Sequence, residues 1–264
     1  MIKLIATDVD GALLDSEKRM PADFVPWVKA HPQIKTVIAS GRQYATLCHD
    51  FEAISSDVTF ICENGALVYE RGKILYKNVM AKDAVLECLS VLDKIPEAVP
   101  ILCATDKAYI KRTDDEEFLK NAQLYYHARE FTDGLAAAAQ SAEIVKIAVF
   151  FKGCTAGIYF KELEGCTMGK DGQVVPILSG DAWIDYADTS ANKGAAIKAV
   201  QQSYGIKPEE CMAFGDYLND RELLESVGES YAMANALKEI KCIARHETAS
   251  NDEDGVMRVL RKLP

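Results

Sequence analysis

The chain has 264 residues, 49% hydrophobic and 27% charged, with a formal net charge of -10, which is the composition of a chain that folds around a core rather than one that stays disordered. The acidic balance excludes a phosphate-backbone binder, since sequence-independent nucleic-acid affinity comes from clustered Lys and Arg. No apolar run approaches the roughly 20 residues that cross a bilayer, and no charged and apolar leader precedes the first strand, so a cytoplasmic protein is expected.

Ile2 to Thr7 predicts the first strand, and it runs into Asp8-Val9-Asp10-Gly11. Alternate residues of a strand share a face, which sets two carboxylates side by side, and like charges that close repel. A divalent cation would reward the pairing, and so would chemistry that needs one carboxylate as nucleophile and another as proton carrier. The same residues also suit a plain strand-to-turn exit.

A helix at Pro21 to Ala30 leads to a strand at Lys35 to Ala39, which delivers Ser40-Gly41-Arg42. Ser40 reads as the N-cap of a helix from Gln43 to Phe51, and a hydroxyl beside free N–H groups also suits an anion. Val58 to Cys62 is the third strand, and Leu67 to Glu70 with Lys73 to Tyr76 form a hairpin around Arg71-Gly72.

The middle of the chain changes character. A second hairpin is expected from Ile101 to Ala104 and Ala108 to Arg112, with a helix around Ala136 to Ala139, an apolar strand at Val145 to Phe151 and a helix at Thr155 to Leu163. Antiparallel hairpins with segregated helices predict an α+β unit, placed at 81–185, inserted into an α/β domain formed by 1–80 and 186–264 with a parallel sheet. The α/β pattern resumes with a helix at Asn192 to Tyr204, a strand at Cys211 to Phe214, a helix at Asp220 to Val227 and a strand at Ser230 to Met233. The eight cysteines contain no C-x-x-C pair and read as reduced core thiols, while the four histidines lack zinc-ligand spacing.

Ligands of open α/β sheets bind outside the carboxyl ends of the strands. The polar strand ends here are Asp8 and Asp10, then Ser40-Gly41-Arg42, then Gly215-Asp216 with Asn219-Asp220. Several acids converging in one crevice suit a hard cation such as Mg2+ together with phosphate oxygens, and Lys193 would supply a compensating positive charge.

In this order, Asp8-Val9-Asp10-Gly11, Ser40-Gly41-Arg42, Lys193 and Gly215-Asp216-Tyr217-Leu218-Asn219-Asp220 resemble the four motifs of the haloacid dehalogenase superfamily, specifically its Cof-type phosphatases. Asn64-Gly65-Ala66, Asn235-Ala236 and Asn251 to Val256 extend the resemblance along the chain. Only 29 residues separate Asp10 from Ser40, whereas 152 separate Ser40 from Lys193, so the insert resembles the C2 cap of the family's IIB variety.

The resemblance implies a HAD-like Rossmannoid core and a Mg2+-dependent phosphatase acting on small phosphorylated metabolites such as sugar phosphates through an aspartyl-phosphate. Asp8 would be the nucleophile and Asp10 the proton carrier, protonated for the first step. Asp8, Asp216 and the Asp10 backbone carbonyl would hold Mg2+. Val9, Ser40, Gly41, Lys193 and Asn219 would bind phosphate, and Asp220 would orient Lys193 or a metal-bound water. Glu63, Asn64 and Arg42 are substrate candidates, and Thr105, Asp106 and Trp183 are weaker ones in the insert, where exposed turns and a packed indole are the ordinary reading.

A phosphomutase would use the same aspartyl-phosphate, and a phospho-accepting signalling module would share the acids and the lysine but not the large insert. The family commonly has Thr where this chain has Ala12, a change that removes a possible brace of the motif loop. Gly165-Cys166-Thr167-Met168-Gly169-Lys170-Asp171 falls one residue short of a phosphate-binding Gly-rich loop and reads as a turn of the insert.

Overall fold

Leu4–Asp8 is buried along its whole length, and a strand apolar on both faces belongs in the middle of a sheet covered by helices. The computed structural model, which describes residues 1–263, places it there. The first of two compact units comprises Met1–Tyr76 and Asn192–Pro264. Its sheet has eight strands, in the order His246–Glu247, Glu229–Ala232, Cys211–Gly215, Leu4–Asp8, Lys35–Ala39, Thr59–Cys62, Leu67–Glu70 and Lys73–Lys77. Successive pairs from His246–Glu247 to Thr59–Cys62 are parallel, and Leu67–Glu70 then turns back antiparallel.

The chain moves outward from Leu4–Asp8 on one side through Lys35–Ala39 and Thr59–Cys62. It later returns on the other side through Cys211–Gly215. The order therefore reverses beside the first strand, and such a reversal opens a crevice at the carboxyl ends. Register sets what lies in it, because Thr7 pairs with Phe214 and Asp8 with Ala39. The chain then leaves the sheet through Asp8, Ser40 and Asp216 at one level.

The second unit, Lys77–Ala191, is built on a sheet in the order Val174–Gly180, Trp183–Asp188, Ile144–Phe151, Ala98–Ala104, Ala108–Lys111 and Arg129–Thr132. Its pairs are antiparallel apart from the last, which is parallel. Ile144–Phe151 is buried throughout because both faces are covered. Ile147, Val149 and Phe151 join the core formed with the helices Lys82–Leu92, Leu135–Ser141 and Ala156–Leu163, while Phe150 meets Phe118 and Trp183 on the opposite face. The strand Trp183–Asp188 runs past the expected end of the insert at Asp185, because its hairpin partner Val174–Gly180 pairs it as far as Asp188. No helix among the described residues is long and apolar enough to cross a membrane.

Two local expectations are corrected. The helix after Ser40 begins at Tyr44 with Gln43 as its N-cap, so Ser40 caps nothing; its Oγ accepts instead from the Arg42 N–H at 3.2 Å. Cys62, Cys88, Cys103 and Cys211 are buried thiols, but Cys154 and Cys242 are exposed, since each sits in a short helical turn at the surface.

Candidate active site

The structure brings Asp8, Lys193, Asp216 and Asp220 to one place. Lys193 opens the helix Lys193–Tyr204, which Asn192 caps by accepting from the Ala195 N–H at 2.8 Å. The cap fixes the helix start, and the lysine runs inward until it is 0% exposed. Its Nζ donates to Asp8 Oδ1 at 2.5 Å and to Asp220 Oδ1 at 2.6 Å. Burial alone would lower its pKa, but Asp220 and Asp8 outweigh that and raise it, which keeps the ammonium charged.

Asp220, also 0% exposed, takes the Asp216 N–H at 3.0 Å and the Tyr217 N–H at 3.2 Å on its other oxygen. Both its oxygens are therefore engaged within the protein. These bonds tie Asp220 to Lys193 and to the loop after Phe214. Asp8 is pushed well up by burial and then by Asp220, against the pull of Lys193. Asp216 is pushed up to about 7, by burial first and Asp220 second.

Glycines permit this crowding. A Cβ on Gly11, at φ +88, would lie 2.3 Å from Asp216 Oδ2, and one on Gly215 would lie 2.5 Å from the Asp220 Cβ. Gly65, at φ +100, lets the turn after the third strand approach the start of the lysine helix, where a Cβ would come within 2.2 Å of the Asn192 carbonyl and 2.6 Å of the Lys193 nitrogen. Both neighbours are backbone, so neither can swing aside. Gly65→Ala should destabilise the protein by about 2–4 kcal/mol, read from the urea midpoint, through strain at positive φ and the displaced helix start.

The carboxylates fit a divalent cation. Oxygens of Asp8, Asp216 and Asp220 lie within 4.8 Å of one another, and Asp216 Oδ1 is buried without a hydrogen-bond partner. An orphaned, ionisable oxygen beside a second carboxylate is costly unless a cation meets it. Asp220 already accepts three hydrogen bonds, while Asp216 Oδ1 accepts none and is the carboxylate oxygen most open to a cation.

Asp10 is paired with two cations. The Arg42 guanidinium grips its carboxyl with both arms, Nε to Oδ2 at 3.0 Å and Nη2 to Oδ1 at 2.7 Å, and Lys18 Nζ adds a bond to Oδ1 at 2.8 Å. Burial pushes the Asp10 pKa up, but these bonds outweigh it and the net direction is down. These bonds favour the carboxylate, so the proton implied for the first step is taken up at their expense. The remaining arm of Arg42, a substrate candidate from the sequence, donates to Asp50 at 2.6 Å.

The other sequence candidates of the first unit lie in the segments that follow its strands. Val9 is buried, with its carbonyl accepting from the Leu14 N–H at 2.9 Å. Asn219 donates to Asn64 at 3.1 Å, and Glu63 and Asn64 both take left-handed backbone angles, φ +50 and +56, an uncommon pair of non-glycine residues. Gly41 passes so close to Asn64 that a Cβ would lie 2.9 Å from Asn64 Oδ1. In the second unit, Trp183 packs against Phe150, Tyr125 and Tyr126, and Thr105 and Asp106 lie in the turn between Ala98–Ala104 and Ala108–Lys111.

Lys18 and Asp50 escaped the sequence reading. The loop brace was also hidden: Asn235 donates to the Gly11 carbonyl at 2.8 Å, and Asn251 donates to the Leu14 carbonyl at 2.9 Å. These two asparagines hold both ends of the segment that contains Ala12, so the loop is fixed without a hydroxyl at that position.

A haloacid dehalogenase-like hydrolase family model matches residues 5–260. The chain belongs to that family. The 5-amino-6-(5-phospho-D-ribitylamino)uracil phosphatase YbjI of Escherichia coli K12 is 31% identical, the match covering 99% of this chain and 96% of that protein. The crystal structure of SMU.1108c from Streptococcus mutans UA159 has a TM-score of 0.83 at 28% identity, over 99% of this chain and 98% of the other. The subclass IIB sugar phosphatase BT4131 shares the fold, with a TM-score of 0.75 at 21% identity over 98% of each chain. The chain is a Cof-type HAD-family phosphatase with the α/β fold expected from sequence.

Proposed function

We propose that the protein is a Mg2+-dependent phosphatase of small phosphorylated metabolites, sugar phosphates or related phosphomonoesters, working through an aspartyl-phosphate on Asp8. The observation that carries this reading is the convergence of Asp8, the unpartnered Asp216 Oδ1 and the buried Lys193 at one set of strand ends. Residues 1–80 and 186–264 are the catalytic core in this reading, and 81–185 the C2-type cap that selects the substrate. The YbjI relative acts on a ribityl phosphate by name, which supports a polyhydroxylated, singly phosphorylated substrate.

Asp8 attacks phosphorus through a carboxylate oxygen as the bond to the ester oxygen breaks. Lys193, fixed by Asp220, favours the ionised form of that carboxylate against burial, orients it and offsets the charge of the phosphoryl oxygens. Ser40, the Gly41 amide and Asn219 complete the phosphate cradle, while Asp10 moves the proton. It takes one up in exchange for part of its pairing with Arg42 and Lys18, gives it to the departing alkoxide, and as a carboxylate then accepts one from the water that hydrolyses the aspartyl-phosphate. Mg2+ held by Asp8, Asp216 and the Asp10 carbonyl would screen the approach of the anionic ester to Asp8 and stabilise the charge of the transferring group.

The test is phosphate release from a panel of phosphorylated sugars, sugar alcohols and cofactors with Mg2+ and with EDTA. Release that ignores EDTA would sink the metal assignment, and a panel with no turnover would sink the substrate class. A second expectation follows from Asp216. With its pKa near 7 in the fold and about 3.9 in an unfolded chain, the metal-free protein keeps a proton that the unfolded chain has lost. Stability in EDTA should therefore be fullest below about pH 4 for this group and fall as pH rises towards 7, by up to ~1.4 kcal/mol per pH unit. Mg2+ should remove that slope, because it takes the place of the proton. Urea midpoints across the range, with and without Mg2+, check both signs.

A further inference from the structure

Asp50 is the last residue of the helix Tyr44–Asp50, where an acid meets the negative end of the helix dipole and is disfavoured. Lys18 is a non-glycine residue at φ +63, a backbone conformation uncommon for such a side chain. Each breaks a local rule, and such breaks concentrate where function overrides propensity. Here both converge on Asp10. Asp50 accepts from Arg42 Nη1 at 2.6 Å, Arg42 forks onto both Asp10 oxygens, and Lys18 reaches Asp10 Oδ1.

Leu14, Lys18, Met20, Arg42, Asp50 and Phe51 line a cavity of about 340 Å³ into which the guanidinium could relax. The Asp50 ion pair holds the third guanidinium nitrogen and so steadies the direction of the fork, and the fork sets the plane of the Asp10 carboxyl. Oδ1 already accepts two bonds and Oδ2 one, which leaves Oδ2 with the free capacity for a proton.

We infer that Asp50 is a positioning residue for proton transfer, acting through Arg42, with Lys18 as the second clamp, so that Asp10 Oδ2 is presented towards the leaving group. The inference rests on the phosphatase reading given above for Asp10. Its signature is dependence on the leaving group, because a misplaced acid matters most when the departing oxygen needs a proton.

The experiment compares kcat/KM of the parent, Asp50→Asn and Lys18→Met on p-nitrophenyl phosphate, whose phenolate departs readily, and on phenyl phosphate, whose phenol has a pKa of about 10 by analogy with tyrosine. General acid catalysis contributes ~10²–10⁴-fold. Asp50→Asn should lose about 10-fold or more on phenyl phosphate and no more than about 3-fold on p-nitrophenyl phosphate, and Asp50→Glu should recover part of the loss. Lys18→Met should show the same sign, and Asp10→Asn the same sign with greater size. Equal losses on both esters, no loss or a gain would overturn the positioning role while leaving the phosphatase reading intact. Failure of that reading shows separately, as turnover that survives Asp8→Asn. Thermal unfolding of each variant identifies a loss that is merely structural, which would lower both esters together.

Discussion

Asp8→Asn should lower turnover of any phosphomonoester by about 10⁴-fold or more, on the scale seen when a covalent nucleophile is removed, while the protein folds as before. The two halves of this expectation have separate causes. An amide oxygen cannot attack phosphorus to give an acyl phosphate, so the first chemical step is lost rather than slowed. Lys193 still finds an oxygen at Oδ1, now neutral, and the Asp220 bond at 2.6 Å still anchors the ammonium. Burial raises the Asp8 pKa against the pull of Lys193, so the ionised group is held at a cost that the amide does not bear. The urea midpoint should stay level or rise. Phosphate release with Mg2+ is the measurement, and parental rates in the variant would refute Asp8 as nucleophile.

Much of the sheet was legible because doubly buried strands announce themselves as apolar runs with polar ends. Lys35–Ala39 has the expected bounds, and Leu4–Asp8 and Cys211–Gly215 each differ by only a residue or two at their ends. Helix starts were less visible. Phe24–Ala30 begins three residues after Pro21, since proline and the polar residues after it suit a turn as well as a first helical turn.

The acids at the strand ends could be found by asking what terminates each strand, but what pairs with each acid could not. Asp10 meets Arg42 and Lys18. That outcome depends on a left-handed backbone angle at Lys18 and on an acid at the far end of a neighbouring helix, and neither has a periodicity to betray it. Asn235 and Asn251 lie more than 220 residues along the chain from the loop they brace, and sequence spacing carries no trace of that contact. Lys193 could be singled out by the company it keeps, yet its complete burial is a tertiary fact.

Lys193→Met should be the most destabilising single change at the site. Methionine fills nearly the same volume, so packing is kept and the loss is electrostatic. Asp8 and Asp220 then face one another without a cation, and Asp220 is fully buried with its other oxygen fixed by two backbone N–H groups. Removing one partner of a buried ion pair costs about 3–5 kcal/mol, and at about 2–4 °C per kcal/mol for a chain of this size class the thermal midpoint should fall by roughly 10 °C. Asp8 relieves part of this by taking up a proton, so the deficit should narrow at low pH. Mg2+ should also return part of the stability, because a ligand that binds only the folded state stabilises it by mass action. It should not return turnover, since a protonated or metal-saturated Asp8 without its lysine lacks the oriented, ionised oxygen that attack requires. Unfolding curves with and without Mg2+, set beside phosphate release from the same samples, separate the two effects. A Lys193→Met protein of parental stability would mean that the ammonium does not bind Asp8 and Asp220 together, and parental turnover would remove it from the chemistry.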